Sequence, residues 1–150
     1  MQRFDCFDMP LAGLKIVQRK PIEDARGSLS RLYCAEEFAN YGFDKPISQI
    51  NHTLTRKKGA VRGLHYQKPP HAEIKIVSCI KGEIFDVVVD LRKNSPTFLQ
   101  WHAEHLSADN ARALLIPEGF AHGFQTLAPN TAVLYKTTAE YMKAIRDGEE

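Results

Sequence analysis

Short runs rich in β-branched and aromatic residues follow one another along this chain at 14–18, 28–33, 47–54, 74–79, 84–91, 98–106, 113–116 and 132–137, with turn residues between them. Strands this short cannot bury an apolar face alone, so the cadence predicts an antiparallel sandwich or barrel. The run IFDVVVDL at 84–91 stands between Gly82 and the turn-forming RKNSP. Its apolar residues are mostly β-branched and its length suits a strand, so it is expected to cross the core. Only AEEFANYG at 35–42 reads as an early helix, ended by Gly42. The stretch EYMKAIRDGEE at 140–150 reads as a terminal helical turn or a frayed end. No repeat, low-complexity tract or linker interrupts the 150 residues, a length that suits a single domain, 1–150, around one core.

Composition closes off several functions. No apolar run approaches the ~18 residues that a bilayer crossing needs. The N-terminal MQRFDCFDMPLAG breaks its apolar residues with acids, unlike a secretory leader, so a cytoplasmic protein with no membrane partner is expected. Cys6, Cys34 and Cys79 are odd in number and far apart, which points to reduced thiols rather than a disulfide framework or a structural zinc site. A net charge of +2, spread along the chain, argues against nucleic acid, and RKKG at 56–59 reads as a solvated turn. An anionic partner is then a small molecule gripped by a few Arg or Lys side chains.

Chemically capable residues concentrate in two stretches, RGLHYQKPPHAEIKIVSCIKGE at 62–83 and IPEGFAHGFQTL at 116–127. They resemble the two halves of a cupin ligand site, which implies an all-β fold with little helix, a jelly roll or double-stranded β-helix barrel. Pro117, Gly119 and His122 fit the second cupin motif, but the glutamate position of the first, six residues ahead of Gly82, is Lys75. A protonated lysine has no lone pair to offer a cation and repels it, so a metal-free barrel is expected. Such a lysine, facing a pocket, offers its charge to a developing enolate or a phosphate instead. Strand alternation puts Lys75 on the face of Val77 and Cys79, the inward one. His52, His71, His102 and His105 are expected on strand surfaces or in loops.

The wider pattern resembles the dTDP-4-dehydrorhamnose 3,5-epimerase family from about Asp24 to Tyr141. The likeness rests on DARG at 24–27, QINHT at 49–53, VRGLHYQ at 61–67, KIVSCIKGEIFDVVVDLRKNSPTF at 75–98, LSADN at 106–110, IPEGFAHGF at 116–124 and LYKTTAEY at 134–141, in that order. It implies a cofactor-free isomerase that inverts C3, C5 or both of a nucleotide-diphosphate 4-keto-6-deoxyhexose by taking a proton off and returning it. The RGLH histidine, here His65, is by this resemblance the base, and the LYK tyrosine, Tyr135, the acid on the opposite face. An imidazole near ~6.5 and a phenol near ~10 suit those tasks at neutral pH. The resemblance also implies Lys75 at the enolate oxygen, Arg62 at the diphosphate, and Arg26, Gln49, Asn51, His122 and Tyr141 around the substrate. Arginine suits a diphosphate because its planar fork grips two oxygens at once. Family members pair as homodimers by exchanging N-terminal strands, with Arg26 reaching across the interface.

Two departures carry consequences. The family pattern runs on past the last tyrosine to an aspartate that supports the base, whereas this sequence ends at Glu150; Asp147, Glu149 or another acid then serves His65, or none does. After DARG the family carries aromatics and then an acid, but this chain has Ser28, Leu29, Ser30 and Arg31, which stack poorly on a base and leave the nucleotide open. The alternatives to epimerisation are a nucleotide-sugar-binding cupin without turnover and a 3,4-ketoisomerase.

Overall fold

The computed structural model describes residues 3–140. Its regular structure consists of β1 (Phe4–Asp8), β2 (Lys15–Arg19), β3 (Ile22–Asp24), β4 (Gly27–Leu29), α1 (Ala35–Asn40), β5 (Gln49–Thr55), β6 (Val61–His65), β7 (Lys75–Lys81), β8 (Glu83–Asp90), β9 (Trp101–Ser107), β10 (Arg112–Ile116), β11 (Phe120–Thr126) and β12 (Thr131–Thr137). Six strands in the order β1-β2-β10-β7-β12-β5 form one sheet, β6-β11-β8-β9 form a second, and β3 and β4 make a separate hairpin. All the strand pairs are antiparallel. The expected all-β, cupin-type jelly roll is the fold observed.

The sheets face each other because period-two alternation gives each strand one apolar side. Leu14, Ile16, Val77, Cys79, Leu114, Ile116 and Val133 from the larger sheet and its approach meet Ile84, Val88, Leu106, Phe120 and Phe124 from the smaller in the main core. A second cluster covers the outer face of the larger sheet. There Phe38 of α1 is fully buried with Phe4, Val17, Phe43, Ile76 and Leu115, its ring edge-on to Phe4 at 4.9 Å. Six residues of helix are too few to stand alone, so α1 depends on this packing.

The run at 84–91 is indeed a core strand, with Ile84, Asp86, Val88 and Asp90 fully buried on alternate positions. Asp90 tolerates that depth because it accepts hydrogen bonds from the Arg92 guanidinium (2.9 Å), Ser95 Oγ (2.6 Å) and Thr97 Oγ1 (2.6 Å). Burial pushes its carboxyl up, yet these bonds outweigh burial and hold it well below the usual carboxylate range. The Arg92 guanidinium also lies 4.7 Å over the Phe120 ring, which ties this turn to the start of β11. The same network explains why the strand expected over 98–106 begins only at Trp101: the preceding residues turn around Asp90.

Other boundaries differ from the sequence reading. The strand expected at 28–33 shrinks to Gly27–Leu29, paired only with β3. The strands β1, β3, β6 and β11 went unread because their sequences, FDCFD, IED, VRGLH and FAHGFQT, mix charges, glycine or other polar residues with too few apolar ones. The ending predicted for 140–150 falls, from 141 on, outside the described residues. The three cysteines are free thiols, and among the described residues no helix is long and apolar enough to cross a membrane.

Two cations on the outer face of the larger sheet are buried against their interest. Arg19 and Lys136 are 7% and 5% exposed, and Arg19 Nε and Nη1 and Lys136 Nζ have no hydrogen-bond partner among the described residues. Burial first, and the Arg19 charge second, lower the Lys136 ammonium to about 8. The folded chain thus sheds this proton before the unfolded chain does. Stability from this group is depressed below pH 8, and it rises with pH from there to the ordinary lysine range. Lys136→Met, close in volume, is therefore expected to raise Tm at pH 7, by a margin that shrinks above pH ~10. Calorimetry across that range checks it, and a lowered Tm at pH 7 contradicts the account.

Candidate active site

One face of β6 and its neighbour β11 build half of a cavity of about 230 Å³ between the sheets. The register sets His65 opposite His122 and Arg62 opposite Phe124, with a shift between the two pairs. In an unbroken strand Arg62 and His65, three residues apart, would face opposite ways. Here Gly63 and Leu64 together oppose Gly123, a bulge that returns His65 to the interior face shared with Arg62. The backbones approach closely at that point. A Cβ on Gly63, whose φ is +108°, would lie 2.6 Å from the Gly123 Cα, and one on Gly123 would lie 2.7 Å from the Arg62 carbonyl oxygen. Two glycines are what the crossing requires.

The larger sheet supplies the facing wall. Lys75 opens β7 opposite Thr137, and Tyr135 lies one pair along on β12, opposite Val77 and Asn51. Thr53 of β5 sits opposite Val133 on the same side. The cavity is thus lined by Arg62, His65, His122, Gly123 and Phe124 from one sheet and Thr53, Lys75 and Tyr135 from the other. An imidazole and a phenol on opposite walls, with an ammonium beside them, can remove a proton from one side of a small molecule and return one from the other.

Local contacts fix several of these groups. The His122 Nε2 lies 2.7 Å from Oδ1 of Asp86, a fully buried carboxylate on β8. This contact holds the orientation of the imidazole ring. Arg62 Nε donates to Thr55 Oγ1 at 2.9 Å, while the residue as a whole is exposed, at the cavity's mouth. Lys75 is 7% exposed and its Nζ lies 3.4 Å from Oε1 of Glu73, which is equally buried.

Five residues singled out in the sequence, Arg62, His65, Lys75, His122 and Tyr135, therefore meet in one cavity. Gln49 and Asn51 stand on the same face of β5 as Thr53, opposite Thr137 and Tyr135, and extend the wall beyond the immediate lining. Arg26 lies elsewhere, at the turn of the β3–β4 hairpin, 91% exposed and paired with Asp24 at 2.7 Å. Tyr141, Asp147 and Glu149 lie outside the described residues. Sequence reasoning missed Thr53, Phe124, Asp86 and Glu73. The signal for Asp86 was present, an acid inside the β-branched run IFDVVVDL, where only a paired carboxylate survives. A larger cleft of about 570 Å³ lies beside Tyr41, Ile74 and Pro117, but its charged residues Lys15, Arg92 and Glu118 are already paired with Asp8, Asp90 and Lys45. The smaller cavity is the one lined by His65, Lys75, His122 and Tyr135.

Fold and cavity together define a jelly-roll barrel with imidazole, phenol and ammonium side chains gathered between its sheets. The family model for dTDP-4-dehydrorhamnose 3,5-epimerase matches residues 8–148. The dTDP-4-dehydrorhamnose 3,5-epimerase of Salmonella typhimurium is 46% identical over 127 residues, covering 84% of this chain and 69% of that one. The Sinorhizobium fredii enzyme of the same name is 40% identical over 133 residues, covering 89% and 68%. A solved Bacillus anthracis dTDP-4-dehydrorhamnose 3,5-epimerase with TDP and PPi bound aligns with a TM-score of 0.91 at 39% identity, over 95% of this chain and 81% of that one. A Legionella pneumophila dTDP-6-deoxy-D-glucose-3,5-epimerase in complex with dTDP-4-keto-L-rhamnose aligns at 0.90 and 37%, over 95% and 75%. The chain belongs to the dTDP-4-dehydrorhamnose 3,5-epimerase family.

The strand crossing yields a direct test of how the site is built. Gly123→Ala pushes a methyl against the Arg62 carbonyl oxygen and the Gly63 Cα, at 2.7 and 3.2 Å, and backbone cannot rotate away. A loss of roughly 1–3 kcal/mol in urea denaturation is expected. A neutral outcome means that β6 is not pinned there.

Proposed function

We propose that this chain inverts C3, C5 or both of a nucleotide-diphosphate 4-keto-6-deoxyhexose. The observation that carries the reading is the opposition of His65 and Tyr135 across a cavity that Lys75 also lines. His65 removes the proton on the carbon beside the ketone, and the electron pair of that C–H bond moves into the C4 carbonyl to give an enolate. The Lys75 ammonium stabilises the oxygen on which charge develops. The Tyr135 phenol then donates its proton to the opposite face of the same carbon, which inverts it. One proton leaves and one arrives, so the step consumes no cofactor. Arg62, exposed at the mouth, pairs with the diphosphate. Gln49, Asn51, His122, Arg26 and Tyr141 complete the substrate contacts in this reading. TDP and dTDP-4-keto-L-rhamnose in the solved relatives favour a thymidine nucleotide.

Solvent-exchange kinetics test this. In deuterium oxide with dTDP-4-keto-6-deoxyglucose, deuterium is expected at C3 or C5 by NMR, and His65→Ala is expected to slow its entry by at least ~10²-fold. No incorporation with this or another nucleotide-linked 4-keto sugar removes the proposal.

The same reading makes the protein a homodimer in the cytoplasm. The β3–β4 hairpin supports it: Ile22 and Leu29 on that hairpin are 42% and 71% exposed, apolar surface that suits burial against a second copy. If Arg26 completes the partner's site, mixing Arg26→Ala with His65→Ala protein regenerates one intact site per mixed dimer. Activity rising toward about a quarter of the wild-type value on mixing is expected from random pairing. Mixtures no more active than their components place Arg26 outside the shared site.

A further inference from the structure

Glu73 precedes Lys75 by two residues, and the backbone between them is pinned. The Ile74 N–H donates to Thr138 Oγ1 at 3.0 Å, and the Thr138 N–H donates to the Ile74 carbonyl at 3.2 Å. These bonds carry the pairing of β7 and β12 one residue past Lys75 and Thr137. Ile74 packs in the outer apolar cluster, so by alternation residues 73 and 75 turn to the other side, toward the interior. Their side chains are 5% and 8% exposed, with Oε1 and Nζ 3.4 Å apart. A carboxylate at that distance and depth favours the charged form of the amine and restricts where its head can go.

The surroundings give that carboxylate a task. Lys75 shares the cavity with Arg62 and His65 of β6, His122 of β11 and Tyr135 of β12, while Asp86 of β8 is engaged behind His122. The arginine, and either histidine when protonated, oppose a second cation in the same space. His65 acquires a proton during the proposed reaction, so the opposition grows at the moment when the ammonium is most needed.

We infer that Glu73 is a positioning residue for the epimerase reaction: its carboxylate keeps Lys75 charged and aimed while the base takes up its proton. The inference rests on the reading of Lys75 as the group that stabilises the enolate. In this role Glu73 acts through Lys75, whose ammonium it approaches to 3.4 Å.

The variants Glu73→Gln, Glu73→Asp and Lys75→Met, with the double variant Glu73→Gln/Lys75→Met, test it by deuterium-exchange kinetics from about pH 6 to 10. Glu73→Gln is expected to lower kcat by ~10–100-fold with KM nearly unchanged, and to move the alkaline limb of the profile toward acid by about one unit. Glu73→Asp, which keeps the charge, recovers most of the loss and serves as the comparison should the amide variant not fold. In the Lys75→Met background the glutamine costs little more, since its target is gone. A Gln variant that loses only thermal stability, with its pH profile unmoved, overturns the inference, as does an equal loss in both backgrounds. If the wild type itself exchanges no deuterium, the functional reading fails, and the Lys75 titration followed by ¹³C-lysine NMR decides the role of Glu73 alone. A titration moved toward acid in Glu73→Gln supports it, and coincident curves overturn it.

Discussion

The place where β6 crosses β11 governs this molecule. Two glycines let the backbones come within a distance that no side chain allows, and the extra residue of the bulge resets the facing of the strand. Without that reset the guanidinium of Arg62 and the imidazole of His65 would be on different sides of the smaller sheet. A guanidinium and an imidazole are thus gathered on one face by a backbone defect rather than by strand periodicity. Gly63 needs both its positive φ and its missing side chain, while Gly123 needs only the space.

A barrel this small has little room for uncompensated charge, and its interior acids show how the cost is met. On β8 the inward positions alternate between aliphatic residues and aspartates, and each aspartate has its own solution. Asp90 is satisfied by three neighbouring side chains that close the turn after it. Asp86 meets His122 on the adjacent strand, so its charge is spent on orienting a ring that lines the cavity. Arg19 and Lys136, on the outer face, lack such partners among the described residues. The buried aspartates of β8 thus serve the cavity and the turn after the strand, while buried hydroxyls such as Thr126 and Thr131 bond to nearby carbonyls.

Much of this architecture was legible in the residues themselves. The β-branched run at 84–91 and the alternation through Lys75, Val77 and Cys79 read correctly because both obey a strict period of two. The helix at 35–42 read correctly because Gly42 ends it. What escaped obeys no period. The bulge in VRGLH is a matter of how one strand crosses another, and β11, with glycine and histidine at its centre, is a strand only because it has neighbours on both sides. Glu73 escaped for a different reason: nothing around it in the sequence distinguishes a surface acid from a buried one, and its approach to Lys75 is fixed by the fold; the run around Asp86 marks a buried acid, but that its partner is His122 is likewise set by the fold. Arg26 was read as a substrate contact from its motif, and on a single chain its hairpin stands apart from the cavity.

The size of the cavity limits what can sit inside it. Sites that enclose a whole drug-sized ligand usually run from about 300 to 1,000 Å³, and this one measures about 230 Å³. A sugar ring is the part of a nucleotide-diphosphate sugar that such a space suits, and the remainder has to lie along the mouth. The distribution of charge agrees with that division. The enclosed cation, Lys75, is held beside an acid deep in the wall, whereas Arg62 stands exposed with its terminal nitrogens clear of the one bond made by Nε. Beyond the lining, Gln49 and Asn51 continue the same face of β5 as amides rather than charges. On the proposed reading the ring's two faces meet different sheets, so the stereochemical outcome follows from the architecture itself: a proton taken toward β6 and one returned from β12 arrive on opposite sides of the same carbon.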